Sequence, residues 1–403
     1  MLNKQYIQSA LNLFINERNK RVFDESQSCS KKYKRSLPIG YCLDYPNMAS
    51  LKVTADCNLR CKHCYYSGEP STYTPNDDFS TDDIFELIDF LIDDLHILSL
   101  TLTGGEPFLR KDFIDIISHA KSKYIPLIIQ TNGTLLTEED VKELSKILYP
   151  KTDAIYISLE AANKEAHDSI RGKGNFDKAI NAIKLLKRYN LPVQINSTLT
   201  SASAPDLENL FDLCDSLNVD NLSIAKFDVC HENHKYLDVN LEDIICCSHR
   251  IFKKMKSYPH IFTNIKIVSI YDLLKLDEGR KLLNEYLKKH PQKLNKKVCL
   301  SCHNHNRIII SAKGDVFLCS KYESEDTNLG NLRESDFYEI WERRLSHPYF
   351  QKRNLTTVKC KDCKYIHLCA AGCIASAYKK YGDINMAPAE CLYFEEYMRG
   401  LNG

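Results

Sequence analysis

The chain has 403 residues, 43% hydrophobic and 27% charged, and its 54 basic and 53 acidic side chains leave a formal net charge of +1. So even a balance offers no polybasic stripe to nucleic acid or to an anionic membrane surface. No apolar run reaches the roughly 18 residues a membrane-crossing helix needs.

Residues 1–47 form an extension whose start, MLNKQYIQSALNLFINERNK, reads as an amphipathic helix and not as a signal peptide. The cytoplasm is therefore the expected compartment. From 48 to 230 short apolar runs alternate with amphipathic stretches. LKVTA (51–55), LSLTLTG (98–104), IPLIIQTNG (125–133), AIYISLE (154–160), VQINSTL (193–199) and LSIAKF (222–227) read as six buried strands. Helical patterns fall between them at 81–95, 111–122, 137–148, 175–190 and 205–218, and Thr137 followed by Asp140 has the form of a helix N-cap. Such alternation implies right-handed βαβ units and a parallel sheet, either doubly wound or a partial barrel. Functional groups then belong at the C-terminal ends of the strands.

Residues 231–298 are helical in pattern and rich in lysine, and read as packing that completes this first domain. A boundary is placed near 298. HNRIIISAKGDVFLCSK (305–321) has the form of a hairpin turning at Gly314, the stretch 299–395 is punctuated by cysteines, and 396–403 is a tail.

The 17 cysteines are the main chemical signal. In a reducing compartment, grouped cysteines indicate metal or redox chemistry and not disulfides. Cys29, Cys42, Cys214, Cys230, Cys246 and Cys247 are scattered and read as small buried hydrophobes. Cys57, Cys61 and Cys64 stand in CNLRCKHC, directly after the first strand. Three thiolates on one short loop can hold three corners of a [4Fe–4S] cube and leave the fourth iron open, whereas a structural zinc is closed by four ligands. His63, adjacent to Cys64, is poorly placed to reach the same metal and reads as a packing residue.

The Cys-x3-Cys-x2-Cys triplet, together with TGGEP (103–107) at the end of the second strand, resembles the radical S-adenosylmethionine (SAM) superfamily. The resemblance implies a partial (β/α)6, TIM-like barrel. It also implies that Gly104, Gly105, Glu106 and Pro107 cradle the SAM amino group, with Glu106 accepting from the ammonium. Ser158, Glu160 and Gln130 fall where family members contact ribose or carboxylate, and Arg171 where an arginine pairs with the SAM carboxylate. Tyr65 and Tyr66 would line the same site. The implied chemistry is one-electron cleavage of SAM to a 5′-deoxyadenosyl radical that abstracts a substrate hydrogen.

Cys302, Cys319, Cys360, Cys363, Cys369, Cys373 and Cys391, with LGNL (329–332) and FYEIWERR (337–344), resemble the SPASM extension of such enzymes, an α/β barrel followed by an iron–sulfur domain of short hairpins and helices. This implies two auxiliary [4Fe–4S] clusters, three in all. One would take Cys360, Cys363, Cys369 and Cys391; the other Cys302, Cys319 and Cys373, with Cys299 as its fourth ligand. Members modify peptides and proteins, so the expected substrate is a ribosomally made precursor peptide that becomes crosslinked or otherwise oxidised. A separate leader-binding protein and an external donor such as flavodoxin or ferredoxin are the expected partners. Ser320 stands where sulfatase maturases carry an aspartate, which argues against that activity. A sugar or alcohol dehydrogenase and a non-catalytic electron carrier are the alternatives, and no catalytic acid or base is assigned.

Overall fold

The computed structural model describes residues 2–27, 46–64, 77–227, 232–290, 307–317, 319, 323, 325–348, 353 and 357–394. Strands β1 (Met48–Lys52), β2 (Ser99–Thr103), β3 (Leu127–Thr131), β4 (Ala154–Ser158), β5 (Val193–Leu199) and β6 (Asn221–Lys226) realise the six expected runs, and β7 (Phe262–Lys266) extends the series. The helices are α1 (Lys4–Gln27), α2 (Thr81–Asp89), α3 (Phe113–Ser122), α4 (Glu138–Ile147), α5 (Lys164–Arg171), α6 (Asn175–Arg188), α7 (Leu210–Ser216), α8 (Leu241–Met255), α9 (Ile270–Leu274) and α10 (Asp277–Lys289). After these come β8 (Arg307–Ile310), β9 (Asp315–Phe317), β10 (Asn328–Asn331), α11 (Phe337–Ser346), α12 (Ile366–Cys369) and α13 (Ile374–Tyr381).

One sheet runs β10-β9-β8-β1-β2-β3-β4-β5-β6-β7. All neighbours from β8 through β1 to β7 are parallel, while β8–β9 and β9–β10 are antiparallel. The fold is a partial barrel followed by the hairpin and short helices of the C-terminal region, and Gly314 turns the hairpin at φ +99°. The sheet is continuous across the expected boundary near 298, because β8 pairs with β1. No helix among the described residues is long and apolar enough to cross a membrane.

Thr137 and Asp140 form the expected capping box at the start of α4, each side chain accepting from the other's backbone N–H. Two expectations change. The first strand lies three residues earlier than LKVTA suggests, leaving Thr54–Asp56 as a loop that reaches the cysteine triplet. The strands are also not buried on both faces. Leu51, Leu102, Ile129, Ile155, Ile157, Ile195 and Ile224 are buried against the helices. Each contributes about 1.5–3 kcal/mol of transfer free energy. The alternate residues Gln130, Tyr156, Ser158, Gln194, Asn196, Thr198, Ser223 and Asn264 share the opposite face and stay half-buried. The barrel lumen is therefore polar.

Candidate functional site

The triplet loop is zipped to the TGGEP loop by backbone. Val53 N donates to Thr103 O (2.9 Å), Gly105 N to Thr54 O (2.8 Å) and Glu106 N to Asp56 O (2.7 Å). This close approach explains both glycines. A Cβ on Gly104 would stand 2.3 Å from Thr54 O, and one on Gly105 would stand 2.2 Å from Asp56 O. The glycines therefore admit the chain's own backbone, where the sequence suggested close approach to a ligand. The buried Pro107 starts the short turn that follows.

Glu106, expected at the SAM ammonium, has partners within the chain. It is fully buried; Oε1 accepts from Thr131 Oγ1 (2.6 Å) and Phe108 N (3.2 Å), and Oε2 from Asn132 N (2.7 Å). Burial pushes its carboxyl up, against the pull of these donors. Its structural effect is to pin the end of β2 to the end of β3.

Glu160 and Arg171, expected at ribose and carboxylate, are paired with each other. Arg171 Nε and Nη2 lie 2.7 and 2.6 Å from Glu160 Oε1, while Thr198 N donates to Oε2 at 2.8 Å. Burial alone would raise the Glu160 carboxyl, but Arg171 and then His63 outweigh it and hold it below its ordinary value. Nη1 of Arg171 points into the triplet, 3.7 Å from Cys61 Sγ, and the Glu160-paired Nη2 also lies 3.5 Å from His63 Nε2. His63 is half-buried, its Nδ1 has no partner among the described residues, and burial lowers its pKa to about 4. His167 accepts from Glu160 N through Nδ1 (3.2 Å) and is likewise lowered to about 4 by burial and then Arg171.

Gln130 and Ser158 lie on the lumen face with no side-chain hydrogen bond among the described residues, so their polar groups are unspent. Lys52, at the top of β1 on the same face, forms a buried ion pair with Glu323 from the C-terminal region. Burial lowers its pKa, opposed by Glu323 and by nearby Cys64. Sequence reasoning missed this link, since nothing local joins residues 271 positions apart.

In the C-terminal region Cys360, Cys363, Cys369 and Cys391 line one cavity with Tyr271, Ala371, Ala387, Pro388, Tyr393 and Phe394. This brings together the expected set of four. Ile366 N donates to Cys363 O (3.0 Å), Gly372 N to Cys369 O (2.9 Å) and Phe394 N to Cys391 O (3.1 Å), and nearby backbone N–H groups act against burial at the thiols of Cys363, Cys369 and Cys391. Ala370, Ala371 and Gly372 take successive positive φ values of 49°, 59° and 69° between Cys369 and Cys373, a run that turns amides inward. Cys373 is exposed at the start of α13, outside this cavity. Cys319 is half-buried, and Cys299, Cys302, Ser320, Tyr65 and Tyr66 lie outside the described residues.

Burial raises Cys61, Cys360 and Cys391 to about 11 and Cys369 to about 12. Metal loading must therefore displace protons. Among the described residues no His, Cys, Asp or Glu side chains converge tightly enough to hold a single metal ion. A cluster taking one thiolate per iron spaces its cysteines more widely than one ion does, and sulfur donors aided by N–H groups suit an iron–sulfur cube.

Comparison with known proteins agrees with this donor chemistry. Residues 51–214 match the radical SAM superfamily and residues 302–364 the SPASM iron–sulfur cluster-binding domain. An AdoMet-dependent heme synthase of Methanosarcina barkeri is 27% identical over 354 residues, 86% of this chain and 97% of that protein. The mycofactocin maturase MftC of Mycobacterium tuberculosis is 25% identical over 369 residues, 87% of this chain and 84% of that protein. The structure of Streptococcus suis SuiB bound to precursor peptide SuiA superposes with a TM-score of 0.68 at 18% identity, covering 87% of this chain and 76% of that one.

Proposed function

We propose that this chain, which belongs to the radical SAM superfamily and carries a SPASM domain, oxidatively modifies a ribosomally synthesised peptide. When bound, SAM and the cluster supply one-electron cleavage and a 5′-deoxyadenosyl radical for hydrogen abstraction. Cys57, Cys61 and Cys64 would hold that cluster. The edge of the Gly104–Pro107 loop, Gln130 and Ser158 would meet SAM, while Glu106, Glu160 and Arg171 keep the frame in place.

Two auxiliary clusters would bring the total to three, one on Cys360, Cys363, Cys369 and Cys391 and one on Cys299, Cys302, Cys319 and Cys373. They give the substrate radical's electron a way out. An external flavodoxin or ferredoxin in the cytoplasm would supply the first electron, and a separate protein would present the leader.

The polar lumen is the observation that carries the peptide reading. Gln130, Gln194, Asn196, Ser223 and Asn264 present amide and hydroxyl groups along one face, suited to the repeating N–H and C=O groups of an extended chain. MftC, a maturase by name, and the peptide held by the same fold in SuiB support it at the level of family and fold. A second reading, oxidation of a haem precursor, is favoured by the near full-length likeness to the heme synthase. Ile128, Ala154, Tyr156 and Ala225 share the lumen face and would give a flat macrocycle an apolar surface.

Reconstituted protein, dithionite and SAM should yield 5′-deoxyadenosine under anaerobic conditions. Co-expression with a candidate short peptide, sought among neighbouring reading frames, should then change that peptide's mass. An unchanged peptide together with turnover of a haem precursor would replace the first reading by the second, and absence of 5′-deoxyadenosine with either would defeat both.

A further inference from the structure

Helix α9 lies about ninety residues before the first of the four cavity-lining cysteines, yet it delivers Tyr271 into their cavity. Ser269 and Asp272 form a capping box that starts the helix, and Lys226 at the end of β6 lies 3.6 Å from Asp272. Ile270, Leu273 and Leu274 then bury into a small core shared with Leu282, Leu283, Tyr365 and Leu368. These contacts fix the direction of the Tyr271 ring.

The ring ends in a buried hydroxyl with no hydrogen-bond partner among the described residues. Space for it is cleared by Gly372, where a Cβ would come within 2.1 Å of the Tyr271 oxygen. An unsatisfied buried donor costs about 1–3 kcal/mol, and a phenylalanine would fill the same ring volume without that cost. Its surroundings offer sulfur as the acceptor, with Cys360, Cys363, Cys369 and Cys391 lining the same cavity.

We propose that the Tyr271 hydroxyl donates a hydrogen bond to a sulfur of the cluster held by Cys360, Cys363, Cys369 and Cys391, and so sets that cluster's reduction potential as a positioning residue. The inference rests on the reading above that these four cysteines hold an iron–sulfur cluster. A donor to a cluster sulfur withdraws electron density and favours the reduced state, so removing it lowers the potential.

The test uses reconstituted full-length protein, iron and sulfide analysis, and EPR-monitored redox titration. Cys391→Ala identifies the signal belonging to this cluster. Tyr271→Phe should keep its iron and shift that signal's midpoint to more negative potential, leaving the others in place. Tyr365→Phe, which removes a hydroxyl bound to Asn284 Oδ1 at 3.1 Å, should leave it unmoved. A fluorotyrosine installed at 271 keeps ring and hydroxyl but is a stronger donor, and should shift the midpoint the opposite way. This second variant decides the matter if Tyr271→Phe loses iron. Unchanged midpoints overturn the role of Tyr271, whereas Cys391→Ala that costs neither iron nor a signal overturns the cluster reading and the proposal with it.

Discussion

The two cysteine sites solve the same problem, gathering thiolates, with opposite surroundings. Around Cys57, Cys61 and Cys64 the neighbours carry charge: Arg171 reaches Cys61, Glu160 and His63 lie behind it, and the Lys52–Glu323 pair stands beside Cys64. Around Cys360, Cys363, Cys369 and Cys391 the neighbours are mostly apolar, with Val358, Ile366, Ala371, Ala387 and Phe394 forming a small core, and the buried Arg353 nearby spends its guanidinium on the Ile384 and Gly372 carbonyls. A site that completes its ligation from its own chain can be wrapped in hydrocarbon. One that leaves a position for a polar, charged small molecule opens on a polar lumen and needs fixed charges to receive it.

The widest expected difference between the sites comes from removing one thiolate at each. Cys61→Ala should abolish 5′-deoxyadenosine formation altogether. Cys391→Ala should lower iron content and stability but leave SAM cleavage without substrate measurable, and an equal loss of cleavage in both variants would erase the distinction. Next is the charge itself. Glu160→Gln leaves Arg171 buried and uncompensated, and breaking a buried pair costs about 3–5 kcal/mol. Chemical denaturation of the apo-protein should show that loss, and a change below 1 kcal/mol would mean that the pair is solvated. Gly105→Ala should cost about 1–3 kcal/mol by forcing a Cβ against the Asp56 carbonyl, and weaken SAM binding by calorimetry at least tenfold.

How much of this was legible in the sequence differs between the two sites for a physical reason. Grouped cysteines announce metal chemistry because few other residues perform it, and the four that the family resemblance grouped line one cavity. Acidic and basic residues carry no such signature. Glu106, Glu160 and Arg171 were expected to face a ligand, but their types do not reveal that Thr131, Thr198 and each other would take up their hydrogen bonds. Strand β7 was missed because FTNIK is short and polar, and it sits at the sheet edge with Phe262 exposed. The polar lumen could have been read from VQINSTL, where Gln194, Asn196 and Thr198 alternate with Val193, Ile195 and Leu199. Tyr271 had no local signal, because only the packing of α9 brings it to the cysteines.

The smallest expected effect tests whether the charged surroundings of the first site make it the acid-sensitive one. His167 is almost fully buried, and its pKa falls from 6.5 to about 4. A depressed folded pKa means that the unfolded chain binds the proton more readily, so the stabilising term is complete above pH 6.5 and is lost as pH falls toward 4. With each unit worth 1.36 kcal/mol, about 2 kcal/mol should disappear between pH 7.5 and pH 5. His167→Asn keeps an acceptor for the Glu160 N–H but cannot titrate, so the apo-protein should lose about that much less over the same interval. The backbone N–H groups that surround the second site have no titration in this range, so Tyr271→Phe should leave the slope of stability against pH unchanged. If His167→Asn has the wild-type slope, the sensitivity lies elsewhere, and the contrast between the sites is one of ligation and not of charge.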